Sequence, residues 1–150
     1  MIPPLDDHGL LPSGIHACTW QEIEDYFCWN TKRKTVFAGL QRFLDERWAP
    51  IGLNCPILVD GSFVRSKTLP EDVDIVLDLS EVTDMTAIAS ALVLRLKHES
   101  IKLAYYCDVW VKHPLIPNDL SRFFQYLGDK GAAELQLSPE HPKGILKVMP

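Results

Sequence analysis

The chain of 150 residues carries 15 Lys and Arg against 20 Asp and Glu, a formal net charge of −5, and 47% hydrophobic residues. That length and apolar content support a single globular domain over residues 1–150 and exclude a largely disordered or low-complexity protein. The acidic balance gives no bulk attraction to nucleic acid, and no apolar run approaches the length of a membrane span.

The four cysteines, Cys18, Cys28, Cys55 and Cys107, lack zinc-ribbon spacing, so free buried thiols are expected rather than a disulfide framework. The opening has no charged-then-apolar leader, which sets a cytoplasmic location with no membrane partner as the expectation. Residues 1–17 contain Pro3, Pro4, Gly9, Pro12 and Gly14 and read as an extended arm without regular structure, carrying Ile2, Leu5, Leu10, Leu11 and Ile15 to pack on the body. Thr19 with Glu22 three positions later forms a capping box for a helix from Trp20 to about Cys28. Thr31 then caps a helix from Lys32 to about Trp48, with Val36, Leu40, Phe43, Leu44 and Trp48 at helical spacing. Lys32, Arg33 and Lys34 in its first turn suit either a solvated cluster or contact with an acidic or phosphate-bearing partner.

The middle of the chain is the informative part. The apolar run Ile57-Leu58-Val59 leads through Asp60 into Gly61-Ser62, a strand ending at a turn. About ten positions on come Asp72 and Asp74, which open a second strand ending near Leu79. Side chains two apart on a strand share a face, so the two acids point one way and Val73, Ile75 and Leu77 the other. Paired carboxylates repel, and a divalent cation removes the repulsion; such oxygen sites suit Mg²⁺ or Mn²⁺, which also take phosphate ligands. Thr83 or Asp84 caps a helix to about His98 with Met85, Ile88, Ala89, Leu92 and Leu96 as its stripe. A third strand, Leu103 to Lys112, places Tyr106, Asp108 and Trp110 on one face. Asn118 or Asp119 caps a last helix that buries Leu120, Phe123, Phe124 and Leu127 and stops at Gly128; residues 131–150 carry no clear pattern. Taken singly, Asp72 also suits a turn cap, Asp74 an edge-strand acid and Asp108 a solvent-facing position; their order along the chain is the specific feature.

That order, strand, Gly61-Ser62, gap, Asp72-Val73-Asp74, strand, helix, and strand with Asp108, resembles the nucleotidyltransferase superfamily over residues 57–111. The wording of residues 2–16 also looks like the opening of uncharacterised bacterial proteins on the same core. The resemblance implies an α/β (α+β) fold, a small mixed sheet with helices packed on it. It implies metal-dependent transfer of a nucleotidyl group from an NTP, expected to be ATP, to a hydroxyl. By position, Gly61 and Ser62 would bind the triphosphate with Arg65 and Lys67 within reach, and Asp72, Asp74 and Asp108 would hold two Mg²⁺ (or Mn²⁺). The chain lacks the added helical domain of larger members and so looks like the minimal bacterial enzymes of toxin–antitoxin or phage-defence pairs. Their expected partners are a protein or tRNA acceptor and a cognate toxin or antitoxin. The alternative is a non-catalytic module that binds a nucleotide or neutralises a partner by contact.

Overall fold

In a computed structural model describing residues 1–150, five strands form one mixed sheet in the order β1-β5-β2-β3-β4. β1 (Gly14–Cys18) runs parallel to β5 (Gly144–Val148), which lies antiparallel to β2 (Ile57–Asp60). β2 is antiparallel to β3 (Val73–Asp78), and β3 is parallel to β4 (Cys107–Lys112). The mixed α+β architecture expected from the pattern is the one observed.

Strict alternation gives the sheet two unlike faces. Ile57, Val59, Val73, Ile75, Leu77, Cys107, Val109, Val111, Leu146 and Val148 point into a core of 30 buried residues. The helices on that side are α1 (Trp20–Phe27), α2 (Thr31–Phe43), α3 (Met85–Leu96) and α4 (His98–Tyr105). On the opposite face Leu58, Val76 and Ile145 of the sheet pack with Leu120 and Phe124 at the one-turn helix α5 (Leu120–Phe123) in a cluster of five buried apolar residues. Beyond them this face turns polar. It is bordered by α6 (Gly128–Leu135).

Local chemistry explains most element ends. The Thr19–Glu22 capping box is present at α1. Asn30, not Thr31, caps α2, because its side chain accepts from the Arg33 amide. α2 gives way at Leu44–Trp48 to a π-helical turn before Pro50 and Gly52 end the run. Asp84 caps α3 through the amides of Thr86 and Ala87. All four cysteines are free and buried, and burial pushes the Cys107 thiol up to about 12.

Several expectations are corrected. Gly14–Cys18 at the end of the N-terminal arm is a strand; its partner lies 130 residues away, so no local signal marks it. The patternless C-terminal stretch supplies β5, between β1 and β2. The third strand starts at Cys107 rather than Leu103, because α4 continues to Tyr105 and Tyr106 closes it with φ 56°. Tyr106 therefore leaves the face that Asp108 and Trp110 share. α3 buries Ala87, Ile88, Ala91 and Leu94, while Met85, Leu92 and Leu96 face outward. Gly128 opens α6 rather than ending a helix, and Phe123 is exposed.

Of the basic cluster at the start of α2, Arg33 is fully buried. It donates to the carbonyls of Phe27, Phe63, Arg65 and Lys67 and lies over the rings of Trp29 and Phe63. Five N–H donors in a planar fork suit this work. Asn30 Nδ2 adds a bond to Thr68 O at 2.7 Å. Together they fix the Gly61–Pro70 loop from below. The arm holds it from the other side, through the Ser66 amide on Gly9 O.

Candidate functional site

Register places three carboxylates in one row across three neighbouring strands. Asp60 pairs with Asp74, and Asp74 with Asp108. Asp72, one residue before β3, adds a fourth. Like charges directly opposite on a sheet destabilise it unless something compensates. Three of the four have cations nearby. Lys143 reaches Asp60 in a buried ion pair, and Lys102 Nζ lies 2.7 Å from Asp72. Arg95 Nη1 and His98 Nδ1 each stand 3.7 Å from Asp108 Oδ1, beyond hydrogen-bond reach.

Asp74 has no such partner. Burial, then the charges of Asp60, Asp72 and Asp108, push its carboxyl up to about 7. Burial also pushes the Asp60 carboxyl up, against the pull of Lys143. Asp108 Oδ1 and Trp110 Nε1 are buried and complete no hydrogen bond. Buried polar atoms are seldom left so.

Gly61 turns the chain out of β2 with φ 85°, and a Cβ there would stand 2.1 Å from Asp74 Oδ2. Only glycine combines that backbone with that approach. Ser62 follows in a short 3₁₀ turn that carries Phe63 into the core. Gly61, Ser62, Arg65, Asp72 and Asp74 line one cleft of about 490 Å³, with Asp60 and Lys143 at its base. Phe124, Tyr126 and the Leu127–Gly131 turn form the opposite wall. Asp108 and Lys67 lie outside these walls. Lys67 nevertheless joins Arg65 on one carboxylate, Glu134 of α6.

The structure thus gathers Gly61, Ser62, Arg65, Asp72 and Asp74 at one cleft, with Asp108 one strand further on. Sequence reasoning missed Asp60, Lys143, Lys102 and Glu134. Asp60 had a signal, since it ends a strand one residue before the Gly-Ser turn. The other three are set by tertiary packing alone.

As a metal centre, the all-oxygen donor set suits a hard divalent cation. The unpaired Asp74, held in a field of three further carboxylates, and the orphaned Asp108 Oδ1 both fit one. In the present arrangement no three acidic, imidazole or thiol side chains converge on a single point, because Asp72 turns to Lys102 and Asp60 to Lys143. Lys102 is largely solvent-exposed, so its release needs no repacking.

A family model described as a family of unknown function, DUF6932, matches residues 3–149. Among curated proteins and solved structures, none matches the chain.

Proposed function

The chain belongs to the DUF6932 family, whose description assigns no activity, and from the site itself we propose that the protein is a metal-dependent nucleotidyltransferase. The observation that carries this is the row Asp60–Asp74–Asp108, with Asp72, packed against the Gly61-Ser62 turn at the rim of a cleft. The cleft takes an NTP with its phosphates toward Gly61, Ser62 and Arg65. A glycine turn admits the backbone close to phosphate oxygens, and Ser62 offers an amide and a hydroxyl.

Asp72, Asp74 and Asp108 would hold Mg²⁺ or Mn²⁺, and the ion would supply neutralisation of the charge on the phosphates. The acceptor oxygen forms a bond to the α-phosphorus as the bond to the leaving pyrophosphate breaks. The hydroxyl proton passes to a carboxylate of the cluster or to water. Asp108 sits on the edge strand, outside the cleft walls. We take that acceptor to be a protein or RNA hydroxyl, within a toxin–antitoxin or defence pair.

A second reading, a nucleotide- or partner-binding module without transfer, has one observation in its favour. Lys143 and Lys102 already neutralise two of the acids without any metal. Calorimetry with a non-hydrolysable NTP, with and without Mg²⁺, separates the readings when combined with labelling by α-³²P NTP. The enzyme reading expects Mg²⁺-dependent binding that the Asp72→Asn, Asp74→Asn double variant loses. It expects labelled product that Asp108→Asn loses while keeping near-normal NTP binding. Equal NTP affinity of wild type and double variant in Mg²⁺ overturns it. Binding without labelling of any acceptor leaves the module.

A further inference from the structure

Arg65 and Lys67 share one carboxylate in an unequal arrangement. Both cations sit on the loop that Arg33 holds from beneath, and both reach Glu134, Lys67 at 3.1 Å. Two positive charges on one negative leave the cluster with a surplus positive charge. Arg65 is buried and lines the cleft beside Ser62, so its guanidinium borders the space where phosphates are placed above, alongside the carboxylates of Asp60, Asp72 and Asp74. Partial burial alone would raise the Glu134 carboxyl, but hydrogen bonds and charge from Lys67 and Arg65 outweigh it and hold it below the usual carboxylate range. Glu134 is the one side chain of α6 in an ion pair. The rest of that helix is lightly anchored, with only Gly131 and Ala132 buried.

We infer that Arg65 and Lys67 form a phosphate subsite that Glu134 occupies in the free protein, which makes Glu134 a tethered competitor that any phosphate ligand of the subsite must displace. The inference deepens the proposed function and rests on it in taking the cleft as a phosphate site. Arginine binds carboxylate and phosphate through the same planar fork, so a glutamate there is a stand-in for a phosphate. A tethered carboxylate competes at high effective concentration, so an anion that meets only these two cations displaces it poorly. A polyphosphate that also reaches Ser62 and the Gly61 turn replaces the lost ion pair and adds contacts. Glu134 thereby lowers the affinity of every phosphate that needs these two cations by one common factor, and only a ligand with further contacts binds well against it.

The test uses the full chain, metal-free in EDTA at low salt, with sodium tripolyphosphate and sodium orthophosphate as probes in calorimetry. Glu134→Gln removes the competing charge and keeps the side-chain shape. It is expected to tighten tripolyphosphate about tenfold and orthophosphate by about the same factor. Adding Lys67→Gln to Glu134→Gln should cancel the gain. Should Glu134→Gln fail to fold, Glu134→Asp, whose shorter arm cannot span both cations, is expected to give an intermediate gain. Tripolyphosphate binding by the folded variant that is equal to or weaker than wild type overturns the inference and leaves Glu134 as a structural partner of Arg65. Because the probes need no metal or acceptor, a failure of nucleotidyl transfer leaves these outcomes unchanged and is told apart from a failure of the subsite.

Discussion

The two faces of the sheet are built by the same strands, in the same registers, for opposite purposes. On one, each side chain from Val73 to Leu77 at odd positions is fully buried against four helices. On the other, Asp60, Asp74 and Asp108 stand in a row at one end, and only five apolar residues hold α5 down at the other. A strand needs nothing more than alternation to serve both, since neighbouring residues point apart. The consequence is a division of free energy. The helix-covered face supplies stability, and the acid face spends some of it on crowded, partly desolvated charge. Even the free edge of β4 follows the division. Arg95 arises from α3 on the core side, donates to Val109 O at 2.9 Å and lies over Trp110 on the acid side. That occupies one carbonyl of the edge strand.

The comparison breaks if truncations on the two faces cost the same. Phe37 is buried in α2 and stacks on Phe63 at 6.3 Å, deep in the larger core. Phe37→Ala should cost about 3–5 kcal/mol by chemical denaturation. Phe124→Ala removes the edge contact with Trp110 in the five-residue cluster, where water and α5 can move in to fill the gap, and should cost about 2 kcal/mol. Equal costs would mean that the acid face carries a core of its own.

Asp74 sharpens the same contrast through pH. Its carboxyl titrates near 7 in the native protein, against an ordinary value of 3.8. Between those values the native state holds a proton that the unfolded chain has lost, so stability falls as pH rises from about 4 to about 7 and levels off above. The full difference corresponds to at most about 4 kcal/mol, reduced by the solvent that reaches the partly exposed carboxyl. Asp74→Asn removes this dependence. Melting curves in EDTA should show the variant equal to wild type near pH 4.5 and more stable at pH 8. A variant that is no more stable at pH 8 would mean that the acid row is not strained. Mg²⁺ should narrow the gap at pH 8 if the cluster holds the ion, because binding to the native state alone adds stability.

How much of this was legible in the sequence follows from the range of each signal. The Gly61-Ser62 turn and the pair Asp72 and Asp74 were readable because they sit within one hairpin, and because a two-residue period assigns faces without knowledge of the partner strand. The α1 capping box was readable because it lies within four residues. β1 and β5 were not, since each is defined by pairing across the whole chain. The outward apolar positions of α3, with Leu96 81% exposed, misled the stripe because hydrophobic residues run around most of that helix and periodicity then selects no face. Arg33 illustrates the same limit from the polar side. A basic triplet at a helix start looks solvated, and only the loop folded over it turns its middle member into a buried donor to four carbonyls. Glu134, Lys143 and Lys102 meet their partners across 30 to 83 residues of sequence, where no pattern reaches.

The smallest expected effect tests whether the acid face and the turn beside it form one site. Ser62 lies next to Gly61 at the cleft wall, and its hydroxyl makes no hydrogen bond to the protein. Removing it therefore breaks no bond within the fold, and Ser62→Ala should leave the melting temperature within about a degree or two, as for a surface change away from caps and cores. If the turn cradles phosphate, the variant loses one hydrogen bond to a charged oxygen, worth roughly 1.5–3 kcal/mol of NTP affinity, or about ten- to a hundredfold. Calorimetry in Mg²⁺ with a non-hydrolysable NTP reads that loss directly. The combination distinguishes the two roles: weakened binding at constant stability places Ser62 on the ligand, whereas a lower melting temperature with unchanged affinity makes it a turn residue. In the second case Gly61 would owe its left-handed backbone only to the approach of Asp74, and the cleft would hold its ligand by the acids and Arg65 alone.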